Sequence, residues 1–340
     1  MRTVLFLAHT EADGTLGKAS LEALAAAHDV ADALGASLTA GLCGADVSAA
    51  ANQIATCGAT RFLAVNGEEF AQARYASDAA AAEAVCRAAN ADIVLAPATS
   101  RWARALAGVA WRLGGRVDTH ATAVTVENGA VRVTRWYYRQ RMEAVIERAA
   151  RPWIILLEPG CRAPWSGAPG VVQAEGVAAG AESRTTVTGI QAPSTGEQTI
   201  RPEADLLFVA GAGWTKKQAD GAVHAAEAET LILDFLRAAR ASLGGSKSLV
   251  DLSGEGQAVL GCMTHLNQIG QTGSTPRHPK GLSTCCHGEE PHAVGWRFIN
   301  ERRAINLDPN CGWARGKADV LYVADAFEVM RQVNALLAQK

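Results

Sequence analysis

The sequence lacks a strong charge of either sign, because 32 lysines and arginines nearly balance 34 aspartates and glutamates. A formal net charge of −2 offers no electrostatic basis for binding nucleic acid or an anionic membrane surface. The sequence also lacks any uninterrupted run of about 18 apolar residues, the length that a membrane-spanning helix needs. We therefore predict no nucleic-acid partner and no membrane insertion.

The sequence also predicts neither a secretory signal nor a disulfide framework. The segment "RTVLFLAH" near the start has too short an apolar core and no small-residue cleavage site. No Cys-x-x-Cys pair occurs among the eight scattered cysteines, which are Cys43, Cys57, Cys86, Cys161, Cys262, Cys285, Cys286 and Cys311. In a reducing compartment most of them are expected to be small buried apolar side chains. The sequence thus predicts a cytoplasmic protein.

A chain of 340 residues is too long for one ordinary hydrophobic core and fits two domains. In its first half, short β-rich segments alternate with alanine-rich amphipathic segments. "TVLFLAH" is typical of a buried strand, and residues 17–35 show the helical period and end on a glycine. "ADIVLAPATS" predicts another strand, whose Ser100 is expected to cap the helix "RWARALAGVAWRLG". This alternation predicts parallel β-α-β units.

The pattern changes between residues 119 and 157, where two β-rich segments surround Asn128-Gly129. Asn-Gly is a strong β-hairpin signal, so antiparallel strands are predicted beside the parallel sheet. A stretch rich in glycine, serine and threonine follows, between residues 176 and 199. It favours a linker. We assign residues 1–180 to a first α/β domain, 181–200 to the linker and 201–340 to a second α/β domain.

The second domain begins with the predicted strand and glycine turn "ADLLFVAGAGW". A long helix is predicted over residues 218–243, followed by a second glycine turn, "LGGSKSLVD". "QIGQTG" is a third such turn. Glycine turns beside strands and helices expose backbone N–H groups, as a bound phosphate requires. None of the three matches Gly-x-Gly-x-x-Gly, and each alone is more typical of an ordinary turn, but together they indicate a nucleotide or dinucleotide site.

Residues 285–292 combine two adjacent cysteines with two histidines. Cys285, Cys286, His287 and His292 carry atoms that bind zinc, but adjacent cysteines chelate one ion poorly and no second ligand pair lies at a suitable spacing. We favour the interpretation that the two cysteines are small side chains that fill a tight loop. The two histidines, in a loop beside glycine turns, favour contact with an anionic ligand.

Taken together, these segments resemble the α subunit of electron transfer flavoproteins over essentially the whole chain. In the first half the resemblance rests on the N-terminal strand, "LEALAAAHDVADALG" and "DIVLAPATS". In the second half it rests on "RPEADLLFVAGAGW", "GGSKSLVD", "QIGQTG", "HGEEPHAVG", "AINLDPN" and "ADVLYVAD", which occur in the family's order.

The resemblance implies an N-terminal parallel-sheet domain of the nucleotide-α-hydrolase type, with appended antiparallel strands, that pairs with a β subunit. It implies a C-terminal flavodoxin- or Rossmann-like domain that binds FAD. The implied function is a redox carrier rather than a substrate-converting enzyme. Such a carrier takes single electrons from a flavin-dependent dehydrogenase to a quinone reductase or a similar acceptor.

Carried over motif by motif, the resemblance implies FAD contacts from Gly211, Gly213, Ser246, Lys247, Gln271, Thr272, Gly273, His287, Gly288, His292, Asn306 and Asp319. Ser246 and Lys247 match a pair whose cation lies beside the isoalloxazine ring. His287 and Gly288 match the phosphate-binding turn, and His292 matches a histidine near the flavin pyrimidine oxygen. The Gln-Thr-Gly segment matches residues that touch the ring and the ribityl–phosphate region. Asn306 and Asp319 match the adenosine end.

The chain departs from the family pattern at three points. Ala212 and Lys247 stand where the family usually has arginine, and lysine loses the planar fork that stacks on a ring or grips two oxygens. Glu289, Glu290 and Pro291 stand where the family has a small, apolar helix start. These departures motivate a first alternative, a structural subunit that has lost or weakened FAD binding and scaffolds a β subunit and a dehydrogenase. A metalloenzyme using the cysteine–histidine run is the second alternative.

Overall fold

A computed structural model describes residues 2–137, 142–180, 184–189, 200–201, 204–251, 259–270, 276, 278–284, 299–310 and 318–339. The chain divides into two compact units, Met1–Ile190 and Gln191–Lys340. This division falls inside residues 181–200, where the sequence predicts a linker. The linker itself stays a prediction, because most of those residues lie outside the described part.

The first unit is an α/β layer structure built on one large sheet. Its elements are β1 (Thr3–His9), α1 (Lys18–Leu34), β2 (Ser37–Gly44), α2 (Ser48–Gln53), β3 (Arg61–Asn66), α3 (Tyr75–Ala89), β4 (Ile93–Pro97), α4 (Ser100–Arg112), β5 (Arg116–Glu127), β6 (Ala130–Tyr137), β7 (Met142–Ile146), β8 (Trp153–Leu157) and β9 (Glu175–Gly176). The strand order is β7-β6-β5-β8-β4-β1-β2-β3-β9. All neighbouring strands are parallel except β5–β6 and β6–β7.

Both faces of this sheet are buried, which explains the continuous apolar strands. Alternate residues of β1 point to opposite faces, so Val4 and Phe6 pack into one core and Leu5 and Leu7 into another. Helix α1 covers the first face, and α3 and α4 cover the second. Parallel strands covered by helices on both faces confirm the predicted β-α-β units.

The sequence placed one helix cap wrongly. Ser100 is the first residue of α4, and the cap is Thr99, whose side-chain oxygen accepts a hydrogen bond from the Trp102 N–H at 3.3 Å. Both residues are good caps, and the backbone decides between them because Thr99 has extended dihedral angles.

The appended antiparallel strands are confirmed. Asn128 and Gly129 both have positive φ, 53° and 74°, as the tight turn of a two-residue hairpin requires, and they join β5 to β6. Asp118 of β5 links this antiparallel extension to the rest of the sheet. Its buried carboxylate accepts hydrogen bonds from the side chains of Arg148, Arg135 and Trp153.

The second unit is a smaller α/β layer with a wholly parallel sheet. Its elements are β10 (Leu206–Ala210), α5 (Ala225–Ala239), β11 (Ser242–Gly245), α6 (Lys247–Asp251), β12 (His278–Thr284), β13 (Ile299–Asn306), β14 (Val320–Val323) and α7 (Ala326–Leu337). The strand order is β11-β10-β12-β13-β14, and every pair is parallel. This order is the flavodoxin-like one, so the predicted fold class of the second domain is confirmed.

The helix predicted over residues 218–243 is too long at both ends. A turn at Gly221 (φ 80°) and a bridge between Lys217 and Val223 precede α5, and Arg240 ends the helix in a left-handed conformation. Gly244 and Gly245 lie in β11 rather than in a turn. Small residues are needed there because a Cβ on Gly244 would lie 2.8 Å from the Ile269 side chain. Among the described residues, no helix combines the length and the apolar character needed to cross a bilayer.

Gly41 in β2 is a second position where a side chain has no room. A Cβ there would lie 2.3 Å from Val85 Cγ1 and 3.0 Å from Leu5 Cδ1, both fully buried. We expect Gly41→Ala to lower the free energy of unfolding by about 1–3 kcal/mol, because a packed core resists an extra methyl group. Denaturant unfolding checks this, with Gly176→Ala in β9, which has nothing within 4 Å, as the control. Equal losses in the two variants would contradict the prediction.

Candidate functional site

The carboxyl ends of the second sheet bring several predicted site residues to one edge. Gly211 follows β10, Ser246 follows β11 and Asn306 ends β13. The strand order changes direction between β10 and β12, where the Gly211 N–H donates to the Thr284 carbonyl oxygen at 2.8 Å. In open α/β sheets, ligands bind outside the carboxyl ends of the strands at such a switch point.

The first glycine turn is held from inside the unit. Residues Ala212–Thr215 form a 3-10 helix, and the Trp214 Nε1–H donates to Thr284 Oγ1 at 2.8 Å. Thr284 Oγ1 in turn donates to the Val209 carbonyl oxygen at 3.1 Å. Trp214 and Thr284 are both fully buried, so this chain of bonds fixes the turn relative to the end of β12.

The Ser246–Lys247 pair lies at the end of β11. The Ser246 N–H donates to the Ala210 carbonyl oxygen at 3.0 Å, and Ser246 Oγ accepts from the Leu249 N–H at 3.2 Å. Ser246 is fully buried, whereas Lys247, the first residue of α6, is exposed. The hydroxyl therefore supports the local turn, and the charged side chain lies at the solvent side of the edge.

The start of the third glycine turn lies beside the same strand. Gln268 bridges to Gly245, and the Ile269 N–H donates to the Gly245 carbonyl oxygen at 3.1 Å. Gly270 has a φ of 116°, which L side chains rarely adopt. The rest of the predicted ring and phosphate contacts lie outside the described residues: Gln271, Thr272, Gly273, His287, Gly288 and His292, with Glu289 and Glu290.

A pocket of about 430 Å³ opens at this edge, against the first glycine turn. Gly213, Lys217, Asn306 and Asp325 line it, with Phe327 at its apolar side. Asp325 follows β14 and caps α7, and its Oδ1 accepts from the Glu328 N–H at 3.0 Å. The Asn306 side chain is 7 % exposed, and its Oδ1 accepts from the Asp308 N–H at 3.0 Å. The pocket volume is typical of a small-molecule site with a few convergent polar groups.

Asp319, predicted to contact adenosine, does not join this pocket. It precedes β14, at the amino end of the strand, and pairs with Arg302 at 2.9 Å. Hydrogen bonds from the Arg302 side chain and backbone hold the pKa of the Asp319 carboxyl below its ordinary value. The structure thus brings Gly213 and Asn306 together with Asp325, and leaves Asp319 with a different neighbour.

Asp325 and Lys217 are the two charged lining residues, and reasoning from the sequence missed both. A signal for Asp325 was present, because an aspartate two residues after the strand "VLYV", with a glutamate three residues later, is typical of a helix start. For Lys217 no such signal exists. It lines the pocket because the bridge to Val223 folds the loop back over the turn.

A larger pocket of about 600 Å³ lies on the face of the same sheet, beside α7. Its lining is mostly aliphatic, and its charged members Lys280, Glu301 and Arg303 lie in the first or middle part of their strands. Ligand sites in parallel sheets lie at the carboxyl ends. The smaller pocket is therefore the better candidate for a nucleotide.

The family of the chain is shown by a match that lies in the first unit. Residues 4–193 match the family model of the electron transfer flavoprotein domain, which is more than half of the chain. The chain belongs to the electron transfer flavoprotein family. No curated protein gave a significant match. The family is thus shown by the first unit, whereas the candidate site lies in the second.

The described part of this flavoprotein-family chain gives no support for a metal site or a reactive thiol. No cluster of three or more His, Cys, Asp or Glu side chains there has the geometry to hold a metal ion. Burial raises the pKa of the thiols of Cys43, Cys86 and Cys262 to about 12. Thiols that stay protonated are poor nucleophiles and poor redox centres. Cys285 and Cys286 lie outside the described residues.

Proposed function

We propose that the chain is the FAD-binding α-type subunit of an electron transfer flavoprotein heterodimer. It carries single electrons from a flavin-dependent dehydrogenase to a downstream acceptor such as a quinone reductase. The observation that carries the proposal is the pocket at the carboxyl edge of the second sheet, where Asn306 and Asp325 converge beside the first glycine turn. Membership of the family supports the redox role.

The residues at this edge fit the nucleotide half of FAD. An amide and a carboxylate suit ribose hydroxyls and the edges of a base, because Asn306 donates and accepts while Asp325 only accepts. Among the described residues Asp325 Oδ2 accepts no hydrogen bond, so it is available to a ligand. Lys217 supplies a cation at the same pocket, as a phosphate group requires.

The flavin half of FAD supplies one-electron chemistry that no side chain provides. We assign Lys247 the role of the ring-side cation, because a positive charge near N1 and O2 favours the reduced, negatively charged ring. Ser246 orients α6 so that the lysine follows directly at the end of β11. Gln271, Thr272, Gly273, His287, Gly288 and His292 stay proposed contacts on the strength of the resemblance.

A second candidate function is a structural subunit that binds the same partners without FAD. Two hydrogen bonds favour it. The Gly211 N–H is engaged by Thr284 and the Ser246 N–H by Ala210, so neither is available to a phosphate. Ala212, which replaces the family's usual arginine, is buried and brings no charge.

The visible absorbance of the purified pair separates the two functions. We expect the chain co-expressed with its β-type partner to carry nearly one FAD per heterodimer, released on denaturation and identified by chromatography. A colourless heterodimer that stays without FAD after incubation with excess FAD would contradict the flavin function and support the structural one.

A further inference from the structure

The larger pocket of the second unit, of about 600 Å³, is not used by the proposed function. It lies beside α7, on the face of the sheet against which α5 also packs. Val329 and Val333 of α7 form one side of the pocket. Leu282, Ile305 and Tyr322, from three neighbouring strands, form its floor. A space of this size between a helix and a sheet lies within the range of small-molecule pockets, about 300–1,000 Å³.

Most of the pocket wall is aliphatic. Its aliphatic side chains include Leu206, Leu282, Ile305, Val323, Val329 and Val333. Several of them, such as Leu282 and Val329, pack against the core of the unit but are only partly buried. An apolar ligand in the pocket would remove these side chains from water, which is favourable. The wall therefore suits an aliphatic ligand.

The charged side chains of the pocket lie together at one end. Lys280 and Glu301 are partners in the register of β12 and β13, and Arg303 follows Glu301 on β13. Alternate residues of a strand share one face, so Glu301, Arg303 and Ile305 form a row. With a rise of about 3.3 Å per residue, this row is about 13 Å long. The pocket is thus amphipathic, charged towards the start of β13 and apolar towards its end.

These charged side chains have little use inside the unit. The Arg303 guanidinium donates one long hydrogen bond, of 3.5 Å, to Tyr322 Oη. Lys280 and Glu301 have no ion pair with any residue that the structure describes, and all three charged side chains are exposed. Two cations and one carboxylate leave one positive charge in excess. This charge suits a monoanion, because a second negative charge would be repelled by Glu301.

We propose that the larger pocket binds a small amphipathic monocarboxylate, with its acyl chain along the aliphatic wall and its carboxylate at Lys280 and Arg303. The planar fork of an arginine holds a carboxylate through two N–H groups. An acyl chain of about eight carbons, together with its carboxylate, matches the 13 Å row, since carbon–carbon bonds are about 1.5 Å long and the chain zigzags.

This second site goes beyond the proposed function and does not depend on it. Ligands at the carboxyl edge of a parallel sheet are held by the loops that follow the strands. Here side chains of the strands and of α7 would hold the ligand instead. The carboxylate would lie towards the start of β13, whereas the smaller pocket lies at the end of that strand, at Asn306.

Titration of the full chain with octanoate, followed by calorimetry, tests the pocket directly. We expect one saturable site. Octanol has the same chain length without the charge, and we expect it to bind at least ~10-fold more weakly, the loss for hydrogen bonds to a charged group.

Arg303→Gln tests the carboxylate end. It is expected to weaken octanoate binding about 10-fold and to leave octanol binding unchanged, because only octanoate loses a charged partner. Arg302→Gln is the matched control, since Arg302 is the preceding residue of β13, pairs with Asp319 and does not line the pocket. The two probes are compared within one variant, so a general disturbance of the fold does not imitate the expected result.

Val333→Phe tests the apolar wall. The larger side chain fills part of the pocket beside α7 and is expected to weaken octanoate and octanol alike, by about 10-fold. Leu336→Phe, at a 63 % exposed position of the same helix outside the pocket lining, is expected to change neither affinity. Thermal unfolding shows whether each variant keeps its fold, and if Val333→Phe does not, the Arg303→Gln comparison decides alone.

Three results would overturn this inference. Absence of saturable octanoate binding to the unaltered chain would show that the pocket does not accept such a ligand. Equal affinities for octanoate and octanol would remove the role of the two cations. Competitive displacement of octanoate by FAD would place octanoate in the smaller pocket. None of these results changes the FAD content of the heterodimer, which tests the proposed function separately.

Discussion

Asp118→Ala is expected to destabilise the first unit by about 2–4 kcal/mol, because three donors lose their shared acceptor. The Trp153 Nε1–H, which donates to Asp118 at 2.9 Å, is fully buried and has no water to replace the carboxylate. Arg148 and Arg135 are 33 % and 20 % exposed, so water can replace part of the hydrogen bonding that their guanidinium groups lose. The expected loss of stability is therefore smaller than the largest losses seen for broken buried ion pairs.

Denaturant unfolding measures the loss, and Asp29→Ala is the matched control. Asp29 pairs with Arg162 but is 60 % exposed, and exposed ion pairs contribute at most about 1 kcal/mol. A loss of the same small size in both variants would show that the Asp118 network does not hold the antiparallel extension.

The lowered pKa of Asp118 predicts how the stability of the first unit depends on pH. Burial alone would raise the pKa of Asp118, but hydrogen bonds from Arg148 and Trp153, with the charges of Arg148 and Arg135, hold it below its ordinary value. The unfolded chain therefore takes up the proton first as pH falls. The stabilisation is complete above the ordinary carboxyl pKa of about 4 and is lost as the pH drops through the lower pKa of the folded state. Asp118→Asn should flatten this part of the stability curve.

If the chain binds FAD as proposed, Asp325→Ser is expected to weaken that binding by about 10- to 100-fold, the range for losing hydrogen bonds to a charged group. Serine keeps the cap of α7, because it is as good an N-cap as aspartate, so the change acts on the pocket rather than on the helix. The measurement is a titration of the FAD-depleted heterodimer with FAD, followed by flavin fluorescence.

Asp319→Ser is the matched control for that experiment. It removes an exposed pair with Arg302 at the opposite end of β14, and the expected change in FAD affinity is small. If Asp319→Ser weakened binding and Asp325→Ser did not, the adenosine end would lie where the sequence predicted it, and the pocket described here would have another ligand. Normal FAD affinity in both variants would exclude each carboxylate as a contact.

Local patterns were enough to predict much of the architecture. The apolar segments such as "TVLFLAH", the glycine after α1 and the Asn128-Gly129 turn each depend on a few neighbouring residues, and each formed as predicted. Where two local signals competed, the prediction was wrong. The helical pattern of residues 218–243 ran through a turn at Gly221 and into β11, because periodicity alone does not show that Gly244 packs against Ile269.

The sequence by itself determined the alternation of strands and helices and the two-unit α/β class, because these follow from hydrophobic period and turn chemistry. Only the tertiary structure decided the strand order, and with it the switch point between β10 and β12. It also decided that Asp325 rather than Asp319 lines the pocket with Asn306, although the two aspartates are only six positions apart in the sequence. The physical reason is that a strand carries its two ends to opposite edges of a sheet, and non-local pairing selects which ends meet.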